Sequence, residues 1–138
     1  MEIRLKQFKD ALDGFKELVN VDLEELNKKV DSVVVDGIKN GQAQKFEYCT
    51  ELCWKVIKLF LFQYDGLDEK SPKQAIKAFY LAGHCDENVY KKLLDIINDR
   101  NKLSHIYNEN EFNIILSSFN DNIIVFEKIY DVITSKII

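Results

Sequence analysis

"QKFEYCTELCWKVIKLFL", residues 44–61, is the stretch whose periodicity decides how this chain folds. Within the run from Gln42 to Tyr64, the residues Phe46, Cys49, Thr50, Cys53, Ile57, Phe60, Leu61 and Tyr64 recur at threes and fours, which is the mark of one helical face. Tyr48, Leu52, Val56, Leu59 and Phe62 make a second apolar stripe on a neighbouring face. No alternation of period two competes with this pattern. A helix with so wide an apolar arc must be covered from more than one side. Residues 42–64 are therefore expected at the centre of a small bundle, or with one face given to another subunit.

The flanking sequence continues in the same period. Toward the N-terminus, Ile3, Leu5, Phe8, Leu12, Phe15 and Leu18 predict an amphipathic helix over 2–19. Leu23, Leu26, Val30, Val33 and Val34 predict a second over 23–36, ended by Gly37 or Gly41. On the other side, "DEKSPKQAIKAF" supplies a Ser71 cap, Pro72 at the first helical position and Gln74 for a capping box. Gly83 then gives a stop, so a helix is expected over 72–82. Asp86 opens the next, whose apolar positions Val89, Leu93, Leu94, Ile96, Ile97, Leu103 and Ile106 carry it to about residue 107. The segment 110–136 repeats the theme with Phe112, Ile115, Phe119, Ile123, Phe126, Ile129, Tyr130 and Ile133. Repeats, linkers and low-complexity tracts are not visible. The expected fold is all-α: an up-and-down helical bundle of about five helices, in a single domain over 1–138.

Composition narrows the class. A chain of 138 residues can bury about two-thirds of its unfolded surface. One proline and five glycines leave few helix breakers. The longest apolar stretch, Val56 to Phe62, is broken by Lys58, far from the roughly 20 apolar residues of a membrane span. The start, "MEIRLKQFKD", is charged and lacks a secretory apolar core, so a cytoplasmic location is expected. Cys49, Cys53 and Cys85 are odd in number with no CxxC spacing, which fits a reducing compartment. Cys49 and Cys53 share a helix face, with His84 the nearest further ligand type. They read as small buried hydrophobes, and neither metal nor cofactor is expected. A net charge of −4 and a pI near 5.2 speak against a general nucleic-acid binder, leaving room only for a small basic cleft.

One other stretch stands apart: "DRNKLSHIYNEN", residues 99–110. Against 17 lysines the chain has two arginines, Arg4 and Arg100, and two histidines, His84 and His105. In a helix over 87–107, at 100° per residue, Arg100 and Tyr107 lie almost on one face, two turns apart. Asn101 and His105 share another face, with Ser104 between the two directions. A structural explanation exists, since a cation near a helix C-terminus interacts favourably with the macrodipole. Chance is weaker: an Arg-x4-His pair at one fixed spacing arises in roughly 3% of shuffles of this composition. An arginine and a histidine without a carboxylate partner suit phosphodiester chemistry. Histidine titrates near neutrality and moves protons, while arginine holds a phosphate through two parallel hydrogen bonds. An RNA 2′-hydroxyl brings its own nucleophile, so no serine, cysteine or metal is then required. One histidine is few for chemistry needing both an acid and a base; a homodimer would supply two.

"RNKLSHIY" resembles the R-x4-6-H motif of the HEPN superfamily, in its R-x4-H-x-Y form. "QKFEYCTELCWKVIKLFL", "SPKQAIKAFYLAG" and "LLDIINDRNKLSHIYNE" are similar, in order, to segments of the HepT-like proteins, also described as substrate-binding partners of minimal nucleotidyltransferases. The resemblance runs from about residue 3 to 135. It implies a HEPN-like homodimer whose two motifs meet in a cleft acting as a metal-independent ribonuclease, the toxin of a toxin–antitoxin module. Arg100 would bind the scissile phosphate, His105 would be the acid–base residue, and Asn101 and Ser104 would contact substrate. The antitoxin would be an MNT-type nucleotidyltransferase transferring AMP to Tyr107. Lys55 and Lys102 are candidates for local positive charge. The other reading is a non-catalytic helical subunit that presents a substrate to a nucleotidyltransferase. Outside the motif, His84 beside Gly83 reads as a helix-end residue, and Trp54, Phe46, Phe60, Phe62 and Tyr64 as core or subunit interface.

Overall fold

A computed structural model describes residues 1–106 and 108–137, and all regular structure in them is helical. The elements are α1 (Glu2–Val19), α2 (Leu23–Asn27), α3 (Ser32–Phe60), α4 (Pro72–Leu81), α5 (Glu87–Leu103), α6 (Glu109–Ser117) and α7 (Phe119–Ile137). A π-helical turn, Leu61–Asp65, continues α3 without a break.

The stretch 44–61 lies in α3, which packs against α1, α4, α5 and α7 and is the centre of the bundle. Its 29 residues span about 43 Å at 1.5 Å per residue. Of the first stripe, Phe46, Cys49, Thr50, Cys53, Ile57, Phe60 and Leu61 are buried, and only Tyr64 emerges. The second stripe divides: Leu52 and Val56 are buried, while Tyr48 and Phe62 at its ends are both 57% exposed. Leu5, Phe8, Leu12 and Phe15 of α1 close one side of α3. The outward face of α1 carries the i,i+4 pairs Lys6–Asp10 and Lys9–Asp13. Phe119 of α7 stacks on Phe46 with ring centroids 4.7 Å apart, and Phe15 meets Phe119 edge-on at 5.1 Å. These rings bind α1, α3 and α7 into one apolar cluster.

Several boundaries differ from the sequence expectation, and the described residues form seven α-helices where about five were expected. Residues 23–36 are not one helix. Asp22 caps α2, its carboxylate accepting from the Glu25 amide at 3.1 Å, and Asp31 begins α3 afresh. Gly37 and Gly41 do not stop a helix but lie inside α3 with ordinary helical φ, since the positive-φ glycines are Gly66 and Gly83. Gly41 has a packing reason, because a Cβ there would stand 3.3 Å from the Leu18 Cδ2 of α1. The segment 110–136 is cut at Ser118, whose hydroxyl donates to the Ile115 carbonyl and accepts from the Asn122 side-chain amide. Helix α5 ends at Leu103, four residues before the expected limit.

The predicted start and stop of α4 are present. Ser71 Oγ accepts from the Gln74 amide at 3.4 Å and Pro72 is the first helical residue. At the other end Gly83 takes φ +84°, its amide bonding to Tyr80 O at 2.9 Å and that of His84 to Phe79 O at 3.1 Å. Those two bonds define a Schellman motif, in which the residue after the glycine turns back onto the helix.

Candidate functional site

Helix α5 is launched by Asp86, whose Oδ1 accepts from the Val89 amide at 2.8 Å. Val89, Leu93, Ile96 and Ile97 bury its inner face. That anchoring carries the end of the helix, with Asn98 to Leu103, to the surface. Ser104 closes it: its hydroxyl donates to Asn101 O at 3.0 Å, and the His105 amide bonds back to Lys102 O at 2.8 Å. His105 therefore follows the helix rather than riding on it, and the face shared by Asn101 and His105 is not a helical one. Tyr107, the expected modification site, lies outside the described residues.

The structure nevertheless brings Asn101 and His105 together. Both line a cleft of about 700 Å³ between the end of α5 and α6, with Asn98, Asp99, Lys102 and Glu111 at its polar walls and Ile106, Ile114 and Ile115 at its apolar ones. Arg100 lies one position away in the chain and is aimed elsewhere. Its Nη2 donates to Glu51 Oε2 of α3 at 2.8 Å. The expectation that this arginine has no carboxylate partner is thus corrected: α3 brings Glu51 across from a position 49 residues earlier. Glu51 also meets Lys55 at 3.4 Å. The Arg100–Glu51 pair is partly exposed, with side chains 37% and 30% accessible, so its contribution to stability is at most about 1 kcal/mol. A guanidinium has five N–H donors, and the bond to Glu51 uses one of them while fixing its plane. Lys102 lines the cleft as the candidate for local positive charge; Lys55 is held on the Glu51 side. Ser104 spends its proton on the helix end and retains only acceptor capacity.

The surroundings of two polar groups were invisible to sequence reasoning. Asp99 is half-buried in the cleft, and burial raises its carboxyl above the ordinary value, with neighbouring Asp95 adding to the shift and Lys102 opposing it. His84 does stand at a helix end, as read, but it is also buried. Its Nδ1 accepts from Lys136 Nζ at 2.7 Å and its Nε2 bonds to Asp65 Oδ2 at 2.7 Å, an arrangement that selects the Nε2–H tautomer. Phe60 and Phe79 enclose the ring, with centroids at 4.9 and 5.1 Å. The one local hint was its place after the Schellman glycine, where a residue commonly packs back onto the helix.

Among the described residues no group of three or more His, Cys, Asp or Glu side chains could hold a metal ion. Cys49 and Cys53 are buried in the core, and burial pushes both thiols far up. No described helix is long and apolar enough to cross a membrane.

A family model described as "nucleotidyltransferase substrate binding protein like" matches residues 3–134. The chain belongs to that family. The match agrees with the resemblance to substrate-binding partners of minimal nucleotidyltransferases. A protein from Thermus thermophilus of 25% identity superposes with a TM-score of 0.78, over 91% of this chain and 98% of that one. The toxin–antitoxin MntA–HpeT, as a mutant, matches at 0.76 with 12% identity over 96% and 95%. A tri-AMPylated HEPN toxin of Shewanella oneidensis, in complex with MNT antitoxin, matches at 0.75 with 16% identity over 96% and 94%. At such identities the last two establish the shared fold alone. No curated protein matches the sequence.

Proposed function

We propose that this chain is the toxin of a toxin–antitoxin pair: a metal-independent RNA endonuclease, neutralised by a minimal nucleotidyltransferase. The observation that carries the reading is the cleft at the end of α5, where His105 and Asn101 face one space and a positioned Arg100 stands beside it. Likeness of fold to HEPN toxins held by an MNT antitoxin supports the pairing. In this reading Arg100 holds the scissile phosphate, Asn101 and the Ser104 acceptor contact the substrate, and His105 moves the proton. The 2′-oxygen attacks phosphorus, the bond to the 5′-oxygen breaks, and a 2′,3′-cyclic phosphate and a 5′-hydroxyl result. The active form is a homodimer of this single domain in the cytoplasm, and the antitoxin silences it by AMP transfer to Tyr107.

The test is RNA cleavage in excess EDTA by protein of confirmed unmodified mass, beside His105→Ala. Cyclic phosphate ends that disappear in the variant are expected. No cleavage by a folded dimer would turn the assignment to the non-catalytic subunit that presents a substrate to the nucleotidyltransferase. Incubation with the partner enzyme and ATP should add AMP mass to the wild type and none to Tyr107→Phe. An adenylylated protein that cleaves at the unmodified rate would end the proposed mode of silencing.

A further inference from the structure

Transesterification needs two proton movements, one off the 2′-hydroxyl and one onto the departing 5′-oxygen, whereas the described cleft holds a single histidine. The chain's other histidine cannot serve, because His84 is buried with both ring nitrogens engaged by Asp65 and Lys136. Within one protomer, the remaining titratable walls of the cleft are Asp99 and Lys102 from α5 and Glu111 from α6. Lys102 and Glu111 are exposed side chains. Asp99 is set apart by being half-buried and, among the described residues, without a hydrogen bond from its side chain, one residue before Arg100.

Resting on the ribonuclease reading, we propose that Asp99 is the second acid–base residue of the cleft: its carboxylate takes the 2′-hydroxyl proton, and the His105 imidazolium gives a proton to the 5′-oxygen. The 2′-oxygen–phosphorus bond forms as the phosphorus–5′-oxygen bond breaks, and both side chains then exchange protons with water. Burial of Asp99 makes it a stronger base than an exposed carboxylate, the direction a base requires. The groups facing it are Asp95 one turn back and Lys102 on α5, His105 beyond the helix end, and Glu111 on α6; an adjoining cavity of about 410 Å³ brings Lys92 and Asp121 of α7. No other group neutralises it by direct pairing among the described residues. An unpaired, half-buried carboxylate opposes folding, so packing alone gives no reason for it.

The experiment compares wild type, Asp99→Asn and His105→Ala on one RNA with an ordinary linkage and on the same RNA with sulfur replacing the 5′-bridging oxygen. A thiolate leaves without being protonated, so only loss of the acid is rescued. Asp99→Asn should lose about 100-fold or more in rate on both substrates, the usual worth of a proton-transfer group. His105→Ala should be slow on the oxygen substrate and recover on sulfur. A thermal midpoint for Asp99→Asn at or above that of wild type shows that the loss is not one of folding. Wild-type rates in Asp99→Asn while His105→Ala is dead would overturn the proposal, leave the ribonuclease reading standing and point to the second subunit's His105. Rescue of Asp99→Asn by sulfur would overturn its role as base. An inactive wild type would take both readings down together.

Discussion

Asp99 and Arg100 are neighbours in the chain whose surroundings lead in opposite directions, one into the cleft and one onto α3. The pattern of Arg100 beside His105 was legible because arginine and histidine are so rare here. The Glu51 partner and the burial of Asp99 were not, because each depends on what packs alongside. Burial raises the folded carboxyl of Asp99 above its unfolded value. The native state therefore keeps a proton that the unfolded chain has already lost, and stability falls as pH rises from the unfolded value through the folded one. Above that window the whole penalty is present. Asp99→Asn should accordingly raise the thermal midpoint at neutral pH, with the advantage fading as acid protonates the carboxyl; melts across a pH series measure it. The thiols give a second prediction at this scale. Burial pushes Cys85 up to about 11, with the neighbouring Asp86 adding to the shift, and the two core cysteines further still. Iodoacetamide at neutral pH should leave Cys49 and Cys53 unlabelled in the native protein and label them in denaturant, as read by mass.

For the helices, local chemistry was a good guide to what begins and a poorer guide to what ends. Ser71, Pro72 and Asp86 act as read, because a cap is a contact over three residues. Glycine is ambiguous: the same residue stops α4 at Gly83 and passes through α3 at Gly37 and Gly41. At Gly41 tertiary packing favours continuation, since α3 there lies against Leu18 of α1. The three sites should respond differently to alanine. At Gly37 nothing stands within 4 Å of an added Cβ, so Gly37→Ala should stabilise by about 0.5–1 kcal/mol. At Gly41 the same gain is opposed by Leu18 at 3.3 Å. At Gly83, φ +84° makes alanine cost about 1–2 kcal/mol. Urea midpoints of the three variants check the order.

Across the whole molecule, Arg100 and His84 carry polar contacts that tie separate elements together. Arg100 joins α5 to α3, and His84 joins the end of α4 to the π-turn through Asp65 and to the last turn of α7 through Lys136. His84→Ala removes the partner of Asp65 and Lys136, both exposed residues, and takes away a buried ring packed on Phe60 and Phe79. It should destabilise by about 1–3 kcal/mol, visible as a lower denaturation midpoint and as faster amide exchange in the last turn of α7. The sequence by itself determined the helical class, the central helix, its apolar stripes and most of the core, because those depend on a 3.6-residue period and on caps only a few residues long. It also singled out Arg100, Asn101 and His105. Only the tertiary structure decided that α5 ends before His105, that Glu51 holds Arg100, that Asp99 lies in the cleft and that His84 is locked inside. Each of these rests on surroundings brought together by packing, as with Glu51 and Arg100 at 49 residues and His84 and Lys136 at 52, and no periodicity within one helix encodes a partner on another.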